Sequence, residues 1–317
     1  MMSLPDFMEK QILFIEARYG VENSLQFQND NILYKKDWKN SNRISCFKVF
    51  AIFIIGNFTI TSVLIKKCRQ YGISLFLLGN NFECYAAVSS GLESNFILRD
   101  RQYKKEDELE MAKKLVENKI TNQLLLLKER RFLLNFDYKI KEMKEKIEKI
   151  GNEKELLGME GSYSKEFFRE YFRQMNWIRR MPRTKYDVNN VLLDIGYTFL
   201  FNFIDSLLRL YGFDTYKGFY HKLFFQRKSL SCDIMEPFRC VIDRQLLKSF
   251  RLGQINENDF EYKNGKYVLN FDNQRKYIAI FSEAVMKNKK EMFDYVREFY
   301  RFFVVEGKKF PEFRINN

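Results

Sequence analysis

The feature that most constrains the fold of this chain is a change in the spacing of its apolar residues near residue 90. Between Gln11 and about Ala87, short apolar runs rich in Ile, Val, Phe and Tyr alternate with clusters of Asn, Asp and Gly. Such runs predict β-strands. Farther along, apolar residues recur at helical spacing among Lys and Glu, which predicts amphipathic helices. The sequence therefore predicts an α+β protein.

This change of period also predicts two domains. Residues 1–90 are expected to form a small β-rich domain, and residues 91–317 a larger all-helical domain. The stretch "SSGLESN", Ser89 to Asn95, has the flexible composition expected of the boundary. One helix is expected within the first domain, because Thr61 can cap its start and Gly72 can end it.

Three segments of the second domain have clear local signals. Val188 to Leu210 is apolar on nearly every side, which predicts a central buried helix. Asn264-Gly265 lies between alternating apolar residues and predicts one inserted β-hairpin with a type I′ turn. A single final helix is expected from about Gln274 to Phe303.

Charge and composition narrow the function and location. The formal net charge of +13 favours a polyanionic partner, nucleic acid before an anionic membrane, although the codon bias of an AT-rich genome can supply part of it. The apolar runs "VFAIFIIG" and "ISLFLLG" are too short to cross a bilayer, and no signal peptide opens the chain, so we expect a cytoplasmic protein without a membrane partner. Five cysteines without a Cys-x-x-Cys pair argue against a disulfide framework and a structural zinc site.

Three stretches place a metal-capable side chain beside small or turn-forming residues. Glu160 lies between two glycines, just before a predicted helix, and His221 is the only histidine of the chain. Asp233 and Glu236 are three residues apart and share one helix face. A lone histidine is more often a packed core residue, and carboxylates at this spacing are usually solvated. From the residues alone, the structural and the metal-binding interpretations both stay open.

Four stretches, in their order and spacing, resemble the signature of the CRISPR-associated spacer-acquisition integrase family, the catalytic subunit of CRISPR adaptation. They are "GMEGSYSKEFFREYF", "YDVNNVLLDIGYTFL", "GFYHKLF" and "SCDIMEPFRCVIDR". The resemblance covers the whole chain, because the β-rich domain, the boundary and the late hairpin fall where the family has them. Four separated motifs in order are far harder to meet by chance than any one.

The resemblance implies a metal site. Glu160, His221 and Glu236 match the ligands of one divalent cation, and Asp233 matches a second acidic position of the catalytic set, as a supporting group. Two carboxylates and one imidazole suit Mn²⁺ or Mg²⁺. The chain departs from the family pattern where Val188 replaces a proline, a change that leaves the ligand set whole.

Basic segments around these motifs lack interleaved acids, so they are predicted to contact DNA phosphates, with Trp177 stacking on an unpaired base. Arg239 lies one turn from Glu236 and can either hold that carboxylate or contact DNA. The predicted DNA-binding residues are Trp177, Arg179, Arg180, Arg183, Lys185, Asn190, Lys222, Arg227, Lys228 and Arg239.

The function implied by the resemblance is a metal-dependent DNA integrase and endonuclease. It would insert short foreign DNA segments, the spacers, into a CRISPR array by 3′-hydroxyl transesterification in the prokaryotic cytoplasm. Its implied partners are double-stranded DNA (the prespacer and the CRISPR repeat), a second copy of the chain bound through the β-rich domain, and the small ferredoxin-fold adaptation subunit. Two alternatives stay open, a structure-selective metal-dependent DNA nuclease and a non-catalytic DNA-binding scaffold.

Overall fold

The fold follows the predicted change of period. A computed structural model describes residues 8–17, 22–36, 39–79, 84–88, 95–221 and 226–315. Strands occupy the part before residue 88, and helices dominate after residue 95, interrupted by one late hairpin. The predicted α+β class is therefore confirmed. Most of the predicted boundary, residues 89–94, lies outside the described residues.

The N-terminal strands form two four-stranded sheets. One has the order β1-β5-β7-β8, in which β8 alone is antiparallel to its neighbour, and the other has the order β4-β3-β2-β6. A helix, α1, capped by the hydroxyl of Thr61 as predicted, packs between them. The elements are β1 (Gln11–Glu16), β2 (Asn23–Gln28), β3 (Asn31–Lys36), β4 (Lys39–Ser45), β5 (Val49–Ile55), β6 (Thr59–Ile60), α1 (Ser62–Gln70), β7 (Ser74–Leu78) and β8 (Cys84–Val88).

Strand β5 is the centre of the N-terminal sheets because all seven of its residues are buried. Ile52 and Ile54 face the second sheet and α1, whereas Phe50 and Phe53 face the helical part of the chain. Strand β2 alternates strictly from Leu25 to Gln28 but has only two apolar residues, so it does not form an apolar run of the kind from which the sequence predicted strands.

The C-terminal part contains nine helices among the described residues, and α6 lies at its centre. They are α2 (Phe96–Tyr103), α3 (Glu108–Glu129), α4 (Phe136–Glu148), α5 (Glu153–Tyr171), α6 (Val188–Tyr211), α7 (Ser229–Met235), α8 (Arg239–Arg251), α9 (Gln274–Lys287) and α10 (Lys289–Val304). The predicted hairpin is present as β9 (Phe260–Lys263) and β10 (Lys266–Leu269). Asn264 and Gly265 both have the positive φ that a type I′ turn needs.

Helix α6 is the predicted buried core helix. It is the one described helix long and apolar enough to cross a membrane, but 83% of its most apolar window is buried inside the fold. Phe199 contacts Phe14 and Phe53 edge-on, with ring centroids 4.9 and 5.6 Å apart, and Phe203 contacts Phe50. The hydrophobic core is therefore continuous from the first sheet into the helices.

The predicted single final helix is wrong in one respect, because Asn288 divides it into α9 and α10. The Asn288 side-chain amide donates to the carbonyl of Ala284 at 2.9 Å, and its own N–H bonds to Val285. This local hydrogen bonding competes with the helical pattern and ends α9.

Candidate active site

Glu160 lies inside helix α5, not before a helix as the sequence suggested. The helix starts earlier because the Asn152 side chain accepts from the N–H of Glu155, and the Glu155 carboxylate accepts from the N–H of Gly151. This reciprocal cap stabilises the start of the helix, which then continues through Gly158 and Gly161, on either side of Glu160. The Glu160 side chain is 13% exposed and accepts a hydrogen bond from Ser164 one turn later.

His221 is held by Asp233 through a set of buried hydrogen bonds. The Asp233 carboxylate accepts from the backbone N–H groups of Phe219, Tyr220 and His221, at 2.6 to 3.0 Å, and lies 2.7 Å from Nδ1 of the imidazole. A side chain at Gly218 would place its Cβ 2.8 Å from the same carboxylate, so only glycine fits there. Asp233 is therefore a positioning residue, and Nε2 is the ring nitrogen left to bind a metal.

Glu236 lies where the chain changes from α7 to α8. Pro237 follows it in a single 3₁₀ turn, because proline cannot donate the backbone hydrogen bond that would continue α7. The Glu236 carboxylate is 4% exposed, and Arg239 reaches one of its oxygens at 2.9 Å. Arg239 is also stacked on the ring of Tyr197, with 4.7 Å from the guanidinium to the centroid. Of the two roles that the sequence left open for Arg239, the structure thus shows the ion pair with Glu236.

Lys119 of helix α3 joins the two glutamates. Its ammonium contacts Oε1 of Glu160 and lies 2.7 Å from Oε2 of Glu236, with only 11% of the side chain exposed. This residue lies outside the motifs that predicted the site. A signal was present, because Lys119 continues the buried stripe of Met111 and Leu115 at four-residue intervals, where helical periodicity calls for an apolar residue.

Neighbouring opposite charges keep Glu236 and Lys119 ionised although both are buried. Burial raises the pKa of Glu236, but Arg239, Lys119 and His221 outweigh it and lower the pKa to about 2. Burial lowers the pKa of Lys119, and the two carboxylates raise it further than burial lowers it. The cluster is therefore two carboxylates around a shared cation.

This donor set fits a divalent cation. Two carboxylates already surround one cationic group, and Oε2 of Glu236 has no hydrogen-bond partner besides its ion pair with Lys119. Within the described ranges, no three His, Cys, Asp or Glu side chains stand close enough to hold a metal as they are now oriented. Binding by Glu160, His221 and Glu236 together therefore stays a prediction, and it requires the Lys119 ammonium to move.

Asn190 organises the basic segment that precedes α6. It is fully buried, donates to Asp187 and to the carbonyl of Arg179, and accepts from Arg180 and from the N–H of Met181. Both the oxygen and the nitrogen of the Asn190 side-chain amide are therefore hydrogen-bonded within the protein. Asn190 thus shapes the segment, and contact with DNA would have to be made by its neighbours.

The other predicted DNA-binding residues divide into exposed and inward-directed ones. Arg180 is paired with Asp194, and Lys228 with the fully buried Asp205. Trp177 is partly buried and stacks on Phe168 at 5.3 Å between centroids. The exposed or half-exposed ones are Arg179, Arg183, Lys185 and Arg227, whereas Lys222 lies outside the described residues.

Comparison with known sequences identifies a matching family and several relatives. The profile described as "CRISPR associated protein Cas1" matches residues 20–283. A CRISPR-associated endonuclease Cas1 from Thermodesulfovibrio yellowstonii is 25% identical over 283 residues, covering 84% of this chain and 89% of the relative. Another from Thermus thermophilus is 32% identical over 226 residues, covering 68% of this chain and 67% of the relative.

Solved structures share the fold over nearly the whole chain. A Cas1 protein from Thermotoga maritima superposes with a TM-score of 0.81 at 20% identity, covering 98% of this chain and 100% of that one. A casposase bound to its integration product gives 0.80 at 21% identity, covering 97% and 96%. A Cas6-RT-Cas1–Cas2 complex gives 0.79 at 23% identity, covering 98% of this chain and 36% of the other.

Proposed function

This chain belongs to the CRISPR associated protein Cas1 family, and we propose that it is a DNA endonuclease and integrase that inserts short DNA segments into a CRISPR array. The observation that carries this proposal is the convergence of Glu160, from helix α5, and Glu236, from the turn between α7 and α8, on one cationic position. The endonuclease names of its relatives and the fold shared with a casposase support the same activity.

The reaction exchanges one phosphodiester bond for another. The 3′-hydroxyl oxygen of the incoming DNA bonds to a phosphorus atom at the end of the repeat, and the bond from that phosphorus to the 3′ oxygen of the preceding nucleotide in the same strand breaks. The hydroxyl proton passes to solvent, and the departing oxygen is protonated. Because the number of phosphodiester bonds is unchanged, the step needs no ATP, in line with a sequence that contains no Gly-x₄-Gly-Lys-Ser/Thr loop.

The chain's own residues bind and orient the reacting groups. Glu160, Glu236 and Nε2 of His221 would hold one Mn²⁺ or Mg²⁺ ion. When bound, the ion supplies positive charge at the attacked phosphate and lowers the pKa of the attacking hydroxyl. Asp233 fixes the backbone and ring orientation of His221, and Arg239 fixes one Glu236 oxygen.

DNA and protein partners complete the proposal. Exposed Arg179, Arg183 and Arg227 would contact phosphates of the prespacer and the repeat. Arg180, between the first two, lies over the same Tyr197 ring as Arg239, the partner of Glu236. A homodimer bound to the small ferredoxin-fold adaptation subunit would span the two insertion points. Solved complexes that contain Cas1 together with Cas2 support such an assembly.

Strand transfer tests this function directly. We would incubate a labelled short duplex with a repeat-bearing supercoiled plasmid and Mn²⁺, with and without the adaptation subunit. The unmodified chain should join the duplex through its 3′-hydroxyl. Glu160→Gln and His221→Ala should lose at least about 100-fold in rate, because each removes a ligand of the ion. Glu166→Gln, an exposed glutamate on the same helix α5, is the matched control and should keep full activity.

The outcomes separate the three functions. Joined products that require a 3′-hydroxyl, Glu160 and His221 would establish the integrase. Cutting without joining would replace it with the structure-selective nuclease. DNA binding without chemistry, unchanged in both variants, would leave only the scaffold function.

A further inference from the structure

Lys119 occupies the position where the two carboxylates would meet a metal ion. Its ammonium is the group between Glu160 and Glu236, and it comes from a third helix, α3, that neither glutamate belongs to. Ser164 donates to the same Glu160 oxygen, and Gln123, one turn after Lys119, reaches Ser164 at 3.4 Å. Lys119 is thus built into the packing between α3 and α5.

The ammonium and a divalent cation cannot share these oxygens without strong repulsion. Both are cations, both would lie within a few ångströms of the same two carboxylates, and the side chains are almost shielded from water. The net charge also favours displacement. Lys119 and Arg239 already balance the charges of Glu160 and Glu236, so a divalent ion added beside the ammonium would leave excess positive charge. A divalent ion therefore has to displace the ammonium.

We infer that Lys119 is the internal counterion of the active site and a further functional residue of the reaction. Without metal, its ammonium holds Glu160 and Glu236 together and prevents repulsion between two buried carboxylates. When a divalent cation binds, the ammonium is displaced but stays tethered to α3 beside the site. It then contacts the phosphate of the bound DNA. This inference rests on the proposed function, because it assumes that Glu160 and Glu236 bind metal.

Metal binding to the purified full-length chain tests the displacement. Mn²⁺ affinity is measured by electron paramagnetic resonance of free Mn²⁺ for the unmodified chain and for Lys119→Met, which keeps the length of the side chain and removes its charge. Loss of the competing cation should tighten Mn²⁺ binding by about tenfold or more. Lys119→Arg keeps the charge and should bind Mn²⁺ like the unmodified chain.

A matched control is available on the same helix. Lys113 is equally shielded, at 10% side-chain exposure, but its partner is Glu110 on the solvent side of α3. Lys113→Met should leave the Mn²⁺ affinity unchanged. If Lys119→Met does not fold without metal, Lys119→Gln replaces it.

A second measurement needs no variant. The ammonium of Lys119 should resist acetylation by acetic anhydride in EDTA and become several-fold more reactive when Mn²⁺ is added, as quantified by peptide mass spectrometry. Equal reactivity in both conditions, or an affinity for Mn²⁺ in Lys119→Met that is unchanged or weaker, would overturn the inference.

Two controls separate this inference from the proposed function. Glu160→Gln should abolish the Mn²⁺ binding that the unmodified chain shows. If the unmodified chain binds no Mn²⁺, or binds it equally without Glu160, the proposed metal site fails. If binding needs Glu160 but does not respond to Lys119→Met, only the role of Lys119 fails. At saturating Mn²⁺, Lys119→Met should also slow strand transfer, because the contact with the phosphate is lost.

Discussion

At the scale of single residues, the active site is supported by a layer of buried polar groups. Tyr197 donates to Asp243 at 2.5 Å, and the guanidinium groups of Arg239 and Arg180 stack on the same tyrosine ring. Burial raises the pKa of Asp243 to about 7, although the Tyr197 hydrogen bond and the charge of Arg239 lower it. Asp243 thus lies at the tyrosine ring on which Arg239 stacks.

The raised pKa of Asp243 predicts a specific pH dependence of stability. The unfolded carboxyl loses its proton near its ordinary pKa of 3.8, whereas the folded one keeps it up to about 7. Stability is therefore lost progressively as pH rises from about 4 to about 7, and the loss stays constant above that. Asp243→Asn cannot titrate, so its free energy of unfolding relative to the unmodified chain should rise by roughly 2–4 kcal/mol over this window.

Chemical denaturation in EDTA at several pH values would measure this difference. Asp272→Asn, at an exposed position, is the control and should show no such change. Parallel stability curves for Asp243→Asn and the unmodified chain across the whole range would contradict the prediction.

At the scale of elements, helix α3 is the scaffold of the candidate active site. One of its faces carries Lys119, and the neighbouring face binds the C-terminal segment through two buried asparagines. Asn118 accepts from the N–H of Phe313 and donates to its carbonyl, and Asn122 bonds to the N–H of Ile315 and to the carbonyl of Pro237. Asn122 therefore connects the C-terminal segment, residues 310–315, to Pro237, the residue that follows Glu236.

Removing the Asn118 amide should loosen the C-terminal segment. Asn118→Ala leaves the buried N–H of Phe313 without its partner and leaves its carbonyl with Asn122 as the remaining donor, so the free energy of unfolding should fall by roughly 2 kcal/mol. Hydrogen exchange followed by mass spectrometry should show faster exchange at residues 310–315. Asn258→Ala, at an exposed position near the hairpin, should change neither quantity. Unchanged exchange in Asn118→Ala would show that Phe313, packed 4.4 Å from the ring of Phe238, holds the segment without the asparagine.

At the scale of the whole molecule, the two predicted domains share a core. Phe199 from α6 packs edge-on against the stacked rings of Phe14 and Phe53 of the first sheet and is 1% exposed. One sheet of the β-rich part is therefore packed directly on the central helix of the helical part. A substitution that destabilises the core in one part should therefore also destabilise the other part.

Phe199→Ala tests this coupling. The lost ring should lower the free energy of unfolding by about 3–5 kcal/mol, the usual range for a buried phenylalanine. Because the core is continuous, protection from hydrogen exchange should fall together in β5 and in α6. Phe96→Ala, whose side chain is 76% exposed, is the matched control. Loss of protection confined to β5 would contradict a shared core.

The local signals of the sequence determined the fold class, the hairpin at Asn264-Gly265, the central helix α6 and the identity of Glu160, His221 and Glu236 as candidates. Periodicity and turn chemistry are properties of neighbouring residues, and the order of short motifs is a property of the linear chain, so none of these features depends on tertiary contacts. Tertiary packing alone decided that Lys119 lies between the two glutamates, that Asp233 holds His221, and that Asn190 points inward. These contacts join helices that are far apart in the chain, and no local pattern specifies which side chains meet across them.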